Sequence, residues 1–295
     1  MSFSDRLARL PVLGIGVSTE YGARRAGDTL DPRQLRAAHP RFGAFLEVGV
    51  EATKGLDDDA AAWTDAGLPW TYHFLDINLD EPEDFDEGWL RSVCDLARDR
   101  RPEWMCGDAG LWHIGPREPE SMVLYPPILT AEAVAPLADG VARLRDHVGL
   151  EVLPENPPGT VFVGDLHLLD FFGRVCDVAD TGMLLDCAHL AIYQRLLGHA
   201  PTTALDGFPL ERVVELHVAG SSPFEHEGRA LFEDDHGVEI LPDTWEIFEA
   251  VVARAPNLRA VVYECERNPL ATTLAGFNAL EQRLSSHPSF ARGEA

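Results

Sequence analysis

Eight short apolar runs punctuate the chain: VLGIGV (12–17), AFLEV (44–48), WTYHFLD (70–76), EWMCGD (103–108), LEVLPE (150–155), GMLLD (182–186), VVELHV (213–218) and RAVVYE (259–264). Most are almost continuously apolar rather than alternating, the pattern of parallel strands covered on both faces. Helix-like stretches separate them. Residues 130–147 open on a Thr130 cap with an acidic first turn. Residues 165–180 repeat apolar positions at helical spacing. Residues 242–256 begin with Pro242 and Asp243 and stop before Pro256, and residues 272–284 close the pattern. Eight such βα units in 295 residues predict a single (β/α)8 TIM barrel over about 11–285, flanked by short N- and C-terminal tails. The competing architecture is a doubly wound open sheet. Against it, GIGVSTEYG after the first strand lacks the third glycine of a dinucleotide fingerprint.

In such a barrel the chemistry belongs at the C-terminal strand ends. The second run ends near Glu47 and Glu51, the third carries His73, and the fourth ends at Asp108. The fifth ends at Glu155, followed by Asn156. The sixth ends at Asp186, with His189 one turn on. The seventh carries His217 and the eighth ends at Glu264. No Lys or Arg stands at these ends in the sequence. Carboxylates crowded into one mouth of low dielectric repel one another strongly. Metal ions resolve that repulsion, and mixed Asp, Glu and His ligation suits Fe, Mn or Zn. EDDHG (233–237), read as an irregular loop, adds Asp234 and His236, which could point at one ion. Taken singly, His73 or His217 in a strand is more often a satisfied core or catalytic histidine than a ligand, and Glu264 could be an ion-pair partner of Arg267. The joint pattern across the strands favours metal. His113 and His226 read as ordinary loop residues.

Composition narrows the function. There are 24 Lys+Arg against 49 Asp+Glu, a formal net charge of −25, and Lys54 is the single lysine. That field repels phosphate backbones and weighs against nucleic-acid binding. No apolar run approaches the roughly 18 residues of a membrane span, and MSFSDRLARL has no signal-peptide core. Five scattered cysteines without a CxxC pair suggest reduced thiols and a cytoplasmic protein.

PENPPG (154–159), GMLLDCAHLAIY (182–193), VVELHVAG (213–220), EDDHG (233–237) and VVYECERNPL (261–270) together resemble the multinuclear non-heme iron-dependent oxidative enzymes, whose best-known members act in methanobactin biosynthesis. That family lies in the superfamily of metal-dependent TIM barrels that includes endonuclease IV and the xylose-isomerase-like sugar isomerases. The resemblance implies two or three irons bridged by Glu155. Asp186, His217 and Glu264 would share one metal with it, His73 and Asp108 would hold a second, and His189, Asp234 and His236 a third. Glu155, Asp186 and His217 would form the catalytic centre. The activity implied is dioxygen-dependent modification of a ribosomally made precursor peptide, often at cysteine, with a small partner protein recognising the leader. The chain departs from the family pattern at Glu20 and Ala109, where histidines are common, and at Ala188, where asparagine is. Glu20 could replace the missing histidine as a ligand. A metal-dependent sugar isomerase or epimerase, typically using Mn, is the alternative, with Glu155 and Glu264 as acid and base. A three-zinc endonuclease fits poorly with the acidic charge. A metal-storing binding module is the non-enzymatic alternative.

Overall fold

The computed structural model describes residues 1–19, 29–118 and 123–290. Eight parallel strands close on themselves: β1 (Gly14–Thr19), β2 (Leu46–Val50), β3 (Trp70–Phe74), β4 (Met105–Asp108), β5 (Val152–Glu155), β6 (Met183–Asp186), β7 (Val213–His226) and β9 (Ala260–Glu264). Each pairs with the next, and β9 closes the ring between β7 and β1. Closure excludes the open doubly wound sheet. Outside the ring run α2 (Pro32–Ala38), α3 (Asp58–Asp65), α4 (Glu87–Arg100), α5 (Ala131–Val148), α6 (Leu168–Ala179), α7 (Cys187–Leu197), α8 (Pro242–Val252) and α9 (Leu270–Leu284). This is a TIM barrel, as the eight apolar runs predict. Among the described residues no helix is long and apolar enough to cross a membrane.

Why the strands read as continuously apolar follows from their two faces. Outward positions such as Met183, Leu185, Val261 and Tyr263 join the large core beneath the helices. Inward positions such as Leu153, Leu184 and Val262 join a second cluster inside the barrel. That inner cluster includes Phe3 and Leu7 of a short helix, α1 (Phe3–Leu7), capped by Ser2. Residues 1–10 are thus more than a tail: α1 seals the N-terminal end of the barrel, and Arg6 Nε binds Glu151 at 2.5 Å. Thr130 stands at the N-cap of α5 as expected, but its side chain makes no capping bond.

The loop expected after the seventh strand is a strand. β8 (Arg229–Gly237) runs antiparallel to the far half of β7, and the pair rises beyond the barrel as a hairpin. Its turn is Glu227-Gly228, both with positive φ (51° and 75°). That is the arrangement of a two-residue turn whose twist matches its strands.

One close approach ties α5 to the loop after β3. A Cβ on Gly140 would lie 1.7 Å from the Leu79 carbonyl oxygen. Alanine favours a helix over glycine by about 1 kcal/mol, but forcing a methyl into packed backbone costs about 1–3 kcal/mol or more. Gly140→Ala is therefore expected to lower stability by about 2 kcal/mol in chemical denaturation. A more stable variant would show that the helix can move away.

Candidate metal centre

The inward positions change character as each strand climbs. Leu153 is followed two residues on by Glu155, Leu184 by Asp186, Cys106 by Asp108, Thr71 by His73 and Val262 by Glu264. Successive side chains of a strand alternate between faces, so these pairs share the interior, apolar below and ligand-bearing above. The register sets the heights: Asp108 pairs with Glu155, and Asp186 with His217. His73, Asp108, Glu155, His189 and Glu264 line a cavity of about 740 Å³ at the C-terminal mouth, and Asp186 and His217 lie buried beside it.

Glu155 lies at the centre. Its Oε2 is 2.9 Å from His73 Nε2, and its Oε1 is 3.5 Å from both His189 Nδ1 and His217 Nδ1. His217 Nδ1 also faces Glu264 at 3.3 Å and Asp186 at 4.0 Å, while its Nε2 meets Glu47 at 3.0 Å. On the hairpin side, Asp234 Oδ2 is 3.0 Å from His189 Nε2 and 3.3 Å from His236 Nε2. His236 Nδ1 lies 2.5 Å from Glu266, which in turn accepts from the Ser18 hydroxyl at 2.9 Å.

Asp186 answers two demands at once. It caps α7, its Oδ1 accepting from the His189 backbone N–H. Asn156 clamps its main chain, donating to the Asp186 carbonyl and accepting from its N–H, both at 3.0 Å. The second carboxylate oxygen, Oδ2, is buried with no hydrogen-bond donor among the described residues. Asp108 Oδ1, Asp234 Oδ1 and Glu264 Oε2 share that condition. Buried acceptors left unmatched are costly. Such acceptors, set among imidazole nitrogens, are of the kind that hold a metal ion. The chemistry of the residues fits a metal.

The electrostatics agree. Burial, reinforced by Asp108, pushes the Glu155 carboxyl well above its usual range. Burial lifts Asp108 to about 7 and Asp186 to about 6, against the opposing pull of His189. Burial disfavours charged imidazoles, yet Asp186 and Asp234 hold His189 well above its usual range. Glu47 and Glu264 do the same for His217, and Glu264 and Glu266 for His236. For Glu264 burial is outweighed by His217 and His236, which hold it near 2. For Asp234 burial is outweighed chiefly by His236, which holds it well below the carboxylate range. Without a cation the site stays tolerable only by holding protons.

All nine residues singled out in the sequence enter this network: His73, Asp108, Glu155, Asp186, His189, His217, Asp234, His236 and Glu264. Ligand atoms within 4.8 Å of one another group His73 with Asp108 and Glu155, Asp186 and His189 with Glu155, and Asp234 and His236 with Glu264. His217 groups with Glu264 and Glu47, and its Nδ1 also lies 4.0 Å from Asp186. Glu47 and Glu266 were absent from the expected ligand set. Their signals are a lone carboxylate inside the apolar run LEVGV, and the E-x-E alternation of Glu264 and Glu266. Glu20 lies outside the described residues. His113 is buried in its loop against Asp84 at 3.0 Å, and His226 stands at the hairpin tip, away from the centre. The basic residues are nearer than the strand ends suggest: Arg267 lines the cavity, and Lys54 pairs with Glu51 at 3.0 Å.

A family model described as "RiPP precursor modification enzyme MbnB/TglH/ChrH" matches residues 31–282. The UPF0276 protein of Caulobacter vibrioides (strain NA1000 / CB15N) is 28% identical over 193 residues, covering 64% of this chain and 67% of that one. Among solved structures, a xylose isomerase-like TIM barrel protein from Mycobacterium smegmatis, in complex with magnesium, superimposes with a TM-score of 0.59 at 14% identity. That match covers 97% of this chain and 99% of the other. Endonuclease IV from Thermus thermophilus gives 0.50 at 17% identity, covering 92% and 100%. At these identities the structural matches establish the fold.

Proposed function

The chain belongs to the RiPP precursor modification enzymes of the MbnB/TglH/ChrH family, and from that premise we propose that it is a multinuclear iron-dependent oxidase that uses dioxygen to modify a ribosomally made precursor peptide at cysteine or another residue. The single observation that carries this reading is the set of buried carboxylate oxygens, without a donor among the described residues, that lie in groups with histidines at the barrel mouth. Two to three irons bridged by Glu155 would satisfy them. A small partner protein that binds the leader belongs to the same proposal.

Bound iron would supply open coordination positions and one-electron chemistry. The chain's own residues do the rest. Glu155, in reach of His73 Nε2 and His217 Nδ1, would hold iron together with them. The Asn156 carbonyl lies 2.9 Å from His189 Nδ1. A carbonyl only accepts, so Nδ1 carries the proton and Nε2 is left as the ligand, on the side of Asp234 and His236. His217 takes the opposite tautomer: Nε2–H donates to Glu47, and Nδ1 faces Glu155, Asp186 and Glu264. Thr71 and Cys106 hold Glu47 in turn, at 3.3 and 3.2 Å. Leu75, Trp112, Phe224 and Phe232 line the cavity and would offer a bound peptide an apolar wall.

Losing a carboxylate that orients a metal-bound histidine typically costs about 10–100-fold in metal affinity. Glu47→Ala is expected to weaken metal binding by that factor in a titration against a competing chelator, and Glu47→Gln by much less. Equal losses would mean that Glu47 contributes charge rather than orientation. The functional test is anaerobic. Iron-loaded protein is mixed with the precursor peptide encoded beside its gene, oxygen is admitted, and oxygen uptake and peptide mass are recorded. Uptake with a mass change, dependent on the peptide, is the expected result. An unchanged peptide alongside oxygen-independent turnover of a sugar would replace this reading with the isomerase or epimerase one.

A further inference from the structure

A second, smaller pocket of about 80 Å³ adjoins the barrel mouth. Gly159, Thr160, Ile192 and Phe232 line both spaces, so the two share a wall. What distinguishes the small pocket is charge. Its other walls include Arg195 on α7 and Arg229 on β8, in a chain with 49 acidic residues against 24 basic ones.

Each arginine is arranged differently. Arg195 donates through Nε to Asp243 at 2.6 Å, and its guanidinium lies 4.7 Å over the Phe232 ring. Those two contacts fix the plane of the group, and its terminal nitrogens make no hydrogen bond with a described residue. Arg229 follows the tight Glu227-Gly228 turn, opposite His226 in the hairpin, and its side chain makes no ion pair with a described residue. Asp243 neutralises one guanidinium, and among the described residues no carboxylate forms an ion pair with the other. Planar guanidinium forks match carboxylates in two-point fashion.

We propose that this pocket is a carboxylate subsite for the peptide substrate, filled by an acidic side chain or by the terminal carboxylate of the chain. The assignment rests on the peptide-modifying reading above. A strand rises about 3.3 Å per residue, so five residues of β8 separate Arg229 from the Asp234 ligand position by roughly 16 Å. An extended peptide covers that span in about five residues. The acidic group therefore lies within about five residues of the one that is modified. The site discriminates peptides by a group that does not react, and it draws an anion to a protein whose overall field repels anions.

The test uses dye-labelled, N-acetylated peptides of about eleven residues, the length that the five-residue span on each side requires, with one central cysteine, bound anaerobically to the iron-loaded protein and followed by fluorescence anisotropy. One series exchanges Glu for Gln at each of the five positions on either side of the cysteine. A second exchanges a free C-terminal acid for the amide. One of the acidic forms is expected to bind about tenfold tighter than its neutral counterpart, and the series in which this occurs identifies the source of the carboxylate. The preference should fall below about twofold in Arg229→Ala, and shrink in Arg195→Lys, which keeps the charge but loses the fork. Metal content checks that both variants keep the barrel mouth. Succinate, followed by NMR, serves as a second probe. Peptides that bind without any acid preference would overturn the subsite and leave the enzymatic reading intact. Failure of every peptide, with arginine-dependent succinate binding, would keep the subsite and remove the peptide reading. If neither binds, the subsite is wrong.

Discussion

Glu155→Ala is expected to strip the barrel of most of its metal and to abolish peptide modification. Wild-type protein made in iron-rich medium should carry about two to three irons per chain on the logic of the cluster; the variant should carry about one or fewer by elemental analysis. The reason is position. Glu155 reaches His73 Nε2 through one oxygen and His217 Nδ1 through the other, so its loss would remove a ligand from more than one ion. The penalty should exceed the roughly 10–100-fold in affinity typical of residues that only orient a ligand. Folding should respond differently. Without metal, burial and Asp108 push the Glu155 carboxyl well above its usual range, toward the neutral form. Removing it then relieves crowding among acids, and the metal-stripped variant should melt within a few degrees of metal-stripped wild type. His113→Ala gives the opposite pattern. That side chain is buried against Asp84, away from the centre, so stability falls while metal content stays. Full metal in Glu155→Ala would contradict the bridging assignment.

Stability of the metal-stripped protein should fall as pH rises from about 5 to 8, and metal should reverse the trend. Unfolded carboxyls lose their protons near pH 4. Folded Asp186 and Asp108 keep theirs to about 6 and about 7, and burial raises Glu155 well above its usual range. Across that window the native state binds more protons than the unfolded chain, so unfolding becomes easier with rising pH. The raised imidazoles of His189, His217 and His236 act in the same sense: their stabilisation is complete below about 6.5 and is lost as pH climbs through their folded values. His73, lowered chiefly by burial, opposes them weakly. Glu47, Glu264 and Asp234, all lowered, stabilise the fold above about pH 4 and lose that effect only in stronger acid. The net loss between pH 5 and 8 is on the order of a few kcal/mol. Metal competes with those same protons, so affinity should rise with pH and binding should release protons. Denaturant titrations at four pH values, with chelator and with iron, measure both trends. Metal-stripped protein equally stable at pH 5 and pH 8 would mean that the cluster is better solvated than its burial indicates.

Much of this molecule is written locally. A strand alternates its faces every residue, so an apolar run ending on Glu155, Asp186 or Glu264 already places the last carboxylate on the face of the apolar residue two before it. A helix shows its buried stripe in the same local way, which is why the eight-fold alternation could be read along the chain. Nothing local gave the hairpin. EDDHG is polar enough for a loop, and it becomes a strand only because β7 runs nine residues past His217 and offers it an edge. The register then slips between Gly220 and Ser221, leaving Asp235 and His236 without partners in the ladder, and His236 takes a left-handed φ of 52°. A bulge of this kind re-aims a side chain, and here the His236 ring reaches Asp234 and Glu266. The same holds for the imidazole tautomers, set by Glu47, 170 residues from His217, and by the Asn156 carbonyl, 33 residues from His189. Periodicity is a property of a segment and survives in the sequence. Register, closure and the choice of proton are properties of pairs of segments, fixed only when the ring of strands brings distant charges within a few ångströms and excludes the water that would otherwise screen them.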